Sequence, residues 1–222
     1  MAKKNDTNRE ELEQLTATES FFDRYKKVLI IGASAIVVIV LGVIIYQKFV
    51  TEPKIEASQD AYWNAFYEYQ NGDSTELAYE GNENFAGFIE VADEYDGTPG
   101  GEIANYALAT HAMEKQQWEE ALGYLEACDF EDVMLGTLVI GMMGDCYVEM
   151  GEYATAAEKF EEAAAREENE FTSPMFLKKA GLVYEELGDR ESAIKAYQKI
   201  KDNWSLSVEA NDIDKYIAKI QS

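Results

Sequence analysis

Residues 143–163 read MGDCYVEMGEYATAAEKFEEA, and residues 179–200 read KAGLVYEELGDRESAIKAYQKI. The two stretches match each other at a constant separation of 37 positions. The matched pairs are Gly144 and Gly181, Tyr147 and Tyr184, Gly151 and Gly188, Ala156 and Ala193, and Phe160 and Tyr197. A fixed separation of this length predicts a repeated supersecondary unit.

A weaker copy of the unit lies 35 positions upstream. There, Ala109, Trp118, Ala121 and Leu125 stand at the positions of Gly144, Tyr153, Ala156 and Phe160. Three copies predict three helical hairpins, near residues 102–136, 137–173 and 174–207. Each hairpin alone would expose an apolar face, so the hairpins are expected to stack.

Small residues within each unit predict close helix crossings. We expect Gly144 to face Ala156, with the equivalent pair one repeat later, and the large Tyr and Phe side chains to fill the space around them. Gly151 and Gly188 are expected at the turns, where glycine adopts backbone conformations that other residues avoid.

These residues resemble the tetratricopeptide repeat family, whose pattern places Gly, Tyr, Gly, Ala and an aromatic residue at the same offsets. The resemblance implies an all-α fold, a right-handed α-solenoid of helical hairpins. Two features depart from the family pattern. The family's Trp position carries Asn105, Ile140 and Leu177, and its closing Pro position carries Val133, Glu168 and Ser205.

Segments flank the repeats on both sides. Ile55–Tyr69 is a predicted helix rich in aromatic residues, and Phe85–Tyr95 is its predicted antiparallel mate, together a degenerate first hairpin. The polar stretch 71–82 between them is predicted to be a loop or a partly helical excursion. Ser173 before Pro174 indicates a helix start. A final capping helix is predicted from apolar residues at helical spacing, namely Ile213, Tyr216, Ile217 and Ile220.

Residues 28–46, VLIIGASAIVVIVLGVIIY, contain no charged side chain. Nineteen helical residues span about 30 Å, the thickness of a bilayer's hydrocarbon core. The sequence therefore predicts a cytoplasmic tail (1–27), a transmembrane helix (28–46), a linker (47–54) and a helical-repeat domain (55–222). Arg24, Lys26 and Lys27 before the span predict a cytoplasmic N-terminus and a periplasmic or extracytoplasmic C-terminal domain, anchored in the inner membrane by a single pass.

The net charge of −24 lies entirely beyond residue 27, because residues 1–27 hold equal numbers of basic and acidic side chains. A surface this acidic repels phosphate backbones, which argues against nucleic acid as a partner. A protein partner remains compatible with the acidic surface. The sequence does not decide the oligomeric state.

Catalytic and metal-binding patterns are not evident. His111 shares its repeat position with Cys146 and Val183, so it is interpreted as a packing residue. Cys128 and Cys146 lie in no metal-spaced motif, and they are interpreted as packing residues, with a disulfide as the alternative. The acidic run around Glu161 and Glu168 is interpreted as a solvated helix face. We therefore expect no catalytic residues, cofactor, metal or small-molecule substrate.

The family resemblance implies that peptides or helices bind in a concave groove lined by the first helix of each hairpin. Carried over by position, the groove residues are Ile103, Tyr106, Thr110, Met113, Glu114, Leu138, Gly141, Asp145, Val148, Glu149, Met175, Lys178, Leu182, Glu185 and Glu186. A single lysine among five acids argues against a clamp for a C-terminal carboxylate. The mixture suits an apolar or basic peptide.

The complete layout resembles the YfgM-type family of ancillary subunits of the bacterial secretion translocon. That resemblance implies an adaptor that assists a secretion translocon or the chaperone-linked handling of exported proteins. A scaffold for envelope or cell-wall assembly is the first alternative, and a hydrolase is a remote one.

Overall fold

The structure is a computed structural model that describes residues 2–72 and 75–221, with side chains from residue 24 onward. Most of the predicted tail's side chains, together with Asp73 and Ser74 of the predicted 71–82 loop, lie outside the described residues. Contacts between residues divide the chain into two units, Met1–Pro53 and Lys54–Ser222.

The first unit is helical. Helix α1 (Ala2–Tyr46) contains the uncharged run and is followed by a π-helical segment, Gln47–Thr51. Every side chain from Arg24 to Val50 is exposed. The apolar part of this helix is long enough to cross a membrane.

The second unit is built from helices, apart from one short antiparallel ribbon in which Gly81 pairs with Ala86 and Asn82 with Phe85. Its elements are α2 (Glu52–Asn71), α3 (Thr75–Glu80), β1 (Gly81–Asn82), β2 (Phe85–Ala86), α4 (Phe88–Glu94), α5 (Pro99–Glu114), α6 (Trp118–Glu126), α7 (Val133–Glu149), α8 (Tyr153–Arg166), α9 (Thr172–Leu187), α10 (Arg190–Asn203) and α11 (Ile213–Gln221). Helices α5 and α6, α7 and α8, and α9 and α10 form three hairpins in chain order, and a 3₁₀ turn, Glu209–Asn211, precedes α11. The fold is therefore the predicted all-α stack of tetratricopeptide-like hairpins.

Side chains of the N-cap residues cap α5, α7 and α10. The backbone N–H of Gly101 donates to Thr98 Oγ1 at the start of α5, and that of Leu135 donates to Asp132 Oδ1 at the start of α7. Such bonds satisfy N–H groups that have no partner within the helix. Helix α9 begins at Thr172, two residues before Pro174, and Asn169 Oδ1 accepts from the Thr172 N–H at 2.8 Å.

The turn within each hairpin has one residue with positive φ. Gly151 has φ 77° and Gly188 has φ 74°, as the repeat pattern indicates. Gln116 occupies the same repeat position in the first hairpin and has φ 60°. A residue with a Cβ is strained in this left-handed conformation, whereas glycine is not.

In the second and third hairpins, an aromatic ring of the second helix lies against a glycine of the first helix. A Cβ built on Gly144 would lie 2.6 Å from Phe160 Cε1, and one built on Gly181 would overlap the Tyr197 ring. The facing pair of Gly144 and Ala156 remains a prediction, and the side chain nearest to a Cβ on Gly144 is that of Phe160. The ring of Phe160 fills this space because it lies one turn further along α8 and reaches back over the glycine.

The stretch 71–82 is partly helical where the structure describes it. Helix α3 buries Ala78 and Tyr79, so the segment contributes to the core instead of forming a wholly polar loop. At the other end of the unit, α11 buries Ile213 and Ile220 against α9 and α10. Lys178 donates to Asp212 Oδ1 at 2.7 Å and ties this end to α9.

Candidate functional site

An aromatic pocket lies between α2 and α5, with a volume of about 190 Å³. Helix α5 contributes Ile103, Tyr106 and Thr110, which share one face because they are spaced three and four residues apart. The other lining residues are Tyr62, Phe66, Tyr69, Tyr79, Phe88 and Ala107. The first hairpin's predicted groove residues are thus partly brought together in one apolar cavity.

The rings of this pocket support each other. Tyr62 stacks on Phe66 with centroids 5.7 Å apart, and Tyr79 meets Phe88 edge to face at 5.4 Å. Burial raises the pKa of Tyr62, and burial together with Tyr69 and Glu114 raises the pKa of Tyr79 to about 12. Both phenols therefore stay protonated at neutral pH. The pocket offers apolar surface and neutral hydroxyl groups.

A second, smaller collection of predicted groove residues lies between α7 and α9. Val148, Leu182, Glu185 and Glu186 line a cavity of about 180 Å³. Tyr153, Val183 and Lys219 complete its lining. Leu182 is 41% exposed, which makes it the most accessible apolar side chain of the predicted set.

Three charged residues of the predicted set are held by partners within the chain. Lys179 pairs with Asp145 at 2.7 Å, and Lys178 pairs with Asp212 at 2.7 Å while lying over the Tyr216 ring. Because these groups already have partners, they contribute less to the recognition of a ligand than their charges suggest.

Glu185 is the third such residue. It accepts a hydrogen bond from the Tyr197 hydroxyl at 2.7 Å and one from Lys219 at 2.7 Å. Burial raises the pKa of Glu185, but the hydrogen bonds from Lys219 and Tyr197 outweigh burial, so its pKa lies below the usual 4.5.

The remaining predicted residues lie outside both pockets. Met113 packs against the core of the first hairpin, and Leu138 and Met175 pack against the core of the next two. Glu114 and Glu149 are exposed. Gly141 lies under the ring of Phe176 and offers no open surface.

Other chemically distinctive residues are packed or isolated. His111 stacks on Tyr79 with ring centroids 3.8 Å apart. Cys128 and Cys146 are free thiols, and burial, the largest cause, raises their pKa values to about 12 and about 11. No group of His, Cys, Asp or Glu that could hold a metal ion occurs among the described residues.

Sequence reasoning missed six of the nine residues that line the aromatic pocket, namely Tyr62, Phe66, Tyr69, Tyr79, Phe88 and Ala107. Tyr69, Tyr79 and Phe88 line it, although the sequence analysis assigned Tyr79 to a polar stretch. The usable signal was the consecutive apolar run of Leu77, Ala78 and Tyr79. This run is short, and acidic residues flank it, so the sequence predicts only a loop or a partly helical excursion, of which the second agrees with α3.

The stack of hairpins and its pockets define a helical-repeat protein of the interaction type. The tetratricopeptide repeat-like domain family model matches residues 19–212, and the chain belongs to this family. Its fold is typically non-catalytic, and its domains generally bind proteins. No curated protein and no solved structure shows significant similarity to the chain.

Proposed function

We propose that this protein is a membrane-anchored adaptor whose repeat domain, exposed outside the cytoplasm, binds an apolar segment of a partner protein. In this proposal it assists a secretion translocon or the chaperone-linked handling of exported proteins, as the YfgM-type resemblance implies. The aromatic pocket beside Tyr106 is the observation that carries the proposal.

Exposure of the apolar helix supports the membrane anchor. The side chains of residues 28–46 are all exposed. A fully exposed apolar helix of this length is unfavourable in water and favourable in lipid. Three basic residues precede the span, and Lys48 and Lys54 follow it, which supports a cytoplasmic N-terminus.

The aromatic pocket supports recognition of an apolar side chain. Tyrosine and phenylalanine supply large contact areas at low entropic cost, and such residues often dominate the energy of protein interfaces. The Tyr106 ring is itself held by Phe130, with centroids 6.2 Å apart, so this side of the pocket is ordered before binding. Leu182 extends the proposed surface to the third hairpin.

Purification of the full chain with its partner tests the proposal. Changing Tyr106, Met113 and Leu182 together to Ala is expected to abolish recovery of the partner from gently solubilised membranes. The melting temperature should fall, because Tyr106 and Met113 also pack against the core of the first hairpin, but unfolding should stay cooperative. The matched control changes Phe171, Leu206 and Val208 to Ala, since these exposed side chains lie outside both pockets.

Each result has a defined meaning. Retained binding by the triple variant contradicts the proposed groove, as does loss of binding by the control. A collapsed melting transition in the triple variant identifies these residues as core. Mass spectrometry of the recovered proteins distinguishes a translocon assistant from a scaffold for envelope assembly.

Protease treatment tests the orientation. In spheroplasts of a bacterial host that expresses the full chain, residues beyond 50 should be digested while a cytoplasmic control protein remains intact. Protection of the repeat domain under conditions that digest a known periplasmic domain would reverse the assignment.

A further inference from the structure

A large cavity lies on the opposite face of α5 from the aromatic pocket, between α4 and α6. Its volume is about 810 Å³. Ala92, Asn105 and Leu108 are buried and form its floor, whereas Ile89 and the acidic residues around it are exposed and form its rim. This volume is within the range of cavities that hold ligands in proteins.

The cavity lies where the first hairpin departs from the other two. Asn105 occupies the repeat position of Ile140 and Leu177, and Leu177 is 4% exposed and packed in the core. Ala112 occupies the position of Tyr147 and Tyr184 and lines a neighbouring pocket of about 200 Å³. A smaller or more polar side chain at each of these positions leaves space that the later hairpins fill.

Asn105 places an unpartnered polar group in this cavity. The residue is 5% exposed, and its amide makes no hydrogen bond with any residue in the described part of the chain. An asparagine amide has an acceptor oxygen and two N–H donors. Asn105 lines the cavity, so a ligand that enters it can hydrogen-bond to the amide.

The rim of the cavity is acidic. Among the described residues that line it, none is basic and four are acids: Glu80, Glu90, Asp93 and Asp96. Glu76 and Glu120 line the neighbouring pocket, together with His111 and Lys115. Lys54 also approaches the rim, and its Nζ donates to the backbone oxygen of Asp96 at 3.4 Å. Carboxylates predominate, so the cavity attracts a cation and repels an anion.

We propose that this cavity binds an arginine side chain carried on an exposed segment of a partner protein. The methylene chain of arginine would lie along Leu108 and Ile89, while its guanidinium donates to the Asn105 amide oxygen and to rim carboxylates. Guanidinium has five N–H donors in a planar arrangement, so it bonds to an amide and carboxylates together better than an ammonium group does. This site is separate from the aromatic pocket and adds a second specificity to the adaptor.

A matched pair of peptides tests the proposal on the full chain in nanodiscs of zwitterionic lipid. The probe is a fluorescently labelled Ala-Leu-Arg-Leu-Ala peptide, and its control carries citrulline, which keeps the shape of arginine without the charge. Fluorescence anisotropy should give a Kd below about 1 mM for the arginine peptide, and binding at least about tenfold weaker for citrulline. Added salt should weaken the arginine peptide's binding.

Three variants locate the binding. Asn105→Leu, which introduces the residue found at position 177, should weaken binding about tenfold or more. Asp93→Asn with Asp96→Asn should weaken it several-fold and reduce its salt dependence without altering the core, because both residues are exposed. Glu158→Gln, at an exposed acid on α8, should leave binding unchanged.

The proposal is overturned if the arginine peptide does not bind in this range, if citrulline binds equally well, or if both the Asn105 variant and the double acid variant bind like the parent chain. If Asn105→Leu disturbs folding, the proposal is judged on the Asp93→Asn, Asp96→Asn variant alone, and binding like that of the parent chain overturns it. The Tyr106 triple variant concerns the opposite face of α5, so failure of either proposal leaves the other standing.

Discussion

The first hairpin, α5 and α6, differs from the two hairpins that follow it at the positions that define the repeat. Ala109 and Leu125 replace the glycine and aromatic ring of the later crossings, and Gln116 replaces the turn glycine. The ion pairs found in the described ranges 24–72 and 75–221 all involve residues from Asp145 onward, so none lies within the first hairpin.

The first hairpin therefore packs differently from the second and third hairpins. In the later hairpins a ring rests on a glycine, and residues such as Leu177 fill the space that Asn105 leaves open in the first hairpin. In the first hairpin, Asn105 and Ala112 stand at the equivalent positions and line cavities on one face of α5, and the aromatic pocket lies on its other face. The later hairpins are therefore expected to set the stability of the domain, and the first hairpin to carry more of its binding surface.

Overpacking a later crossing should have the largest effect. Gly181→Leu places a side chain where the Tyr197 ring lies, and we expect destabilisation of about 3 kcal/mol or more, since overpacking of tight cores costs about 1–3 kcal/mol or occasionally more. Gly144→Leu should act similarly through Phe160. Thermal unfolding of the full chain, followed by far-UV circular dichroism, measures the loss.

The matched control is Gly123→Ala in α6 of the first hairpin. No atom lies within 4 Å of the position that its Cβ would occupy, so the added methyl has space. Alanine is favoured over glycine in a helix by about 0.5–1 kcal/mol, which predicts a small stabilisation. Equal melting temperatures for Gly181→Leu and the parent chain would contradict the described crossing.

The sequence predicts this architecture well, and it predicts only some of the residues that line the two candidate pockets. The spacing of Gly144, Gly151 and Phe160 is determined by local packing, and that spacing is readable because it repeats. Tyr79 and Asn105 are different, since their importance depends on neighbours that are distant in the sequence or on the absence of a large side chain. A single occurrence of such a residue leaves no periodic signal.

The second hairpin contains a buried hydroxyl group that lacks a hydrogen-bond partner among the described residues. Thr137 is completely buried in α7, and no residue that the structure describes pairs with its Oγ1. Thr137→Val removes this hydroxyl at nearly constant volume and should stabilise the chain by about 1 kcal/mol. Denaturant unfolding would measure the change.

Thr172→Val is the matched control for that substitution. Thr172 is also buried, but its Oγ1 accepts a hydrogen bond from Asn169 Nδ2 at 2.7 Å. This variant should lose stability, because one N–H of the Asn169 amide then lacks an acceptor, while Nδ2 keeps its bond to the Glu167 backbone oxygen. Two valine variants that shift stability in the same direction would contradict the described difference between the hydroxyls.

Placing a glycine at the turn of the first hairpin should change stability by as much as Thr137→Val or by less. Gln116→Gly relieves a left-handed conformation that costs a residue with a Cβ about 1–2 kcal/mol, partly offset by the greater flexibility of unfolded glycine. We expect stabilisation of about 0.5–1 kcal/mol. Gly188→Ala, the reverse change in the third hairpin, should destabilise. A loss of stability in the first variant would show that Gln116 makes a compensating contact.

Glu102 in the first hairpin and Glu185 in the third hairpin should affect the melting temperature in opposite directions. Both effects should be small and should depend on pH. Burial, then Asp129 and Glu131, raise the pKa of Glu102 in α5, whereas hydrogen bonds outweigh burial and lower the pKa of Glu185 in α9. A raised carboxyl pKa destabilises the folded chain at neutral pH, and a lowered one stabilises it there until the pH falls through its folded value. Glu102→Gln should therefore raise the melting temperature at about pH 7, and Glu185→Gln should lower it. The Glu102 difference should shrink as the pH falls towards 4.5, whereas the Glu185 difference should persist to 4.5 and shrink only below it. Glu186→Gln, at an exposed neighbour of Glu185, should change little. Shifts of the same sign for the Glu102 and Glu185 variants would contradict the contrast between the two hairpins.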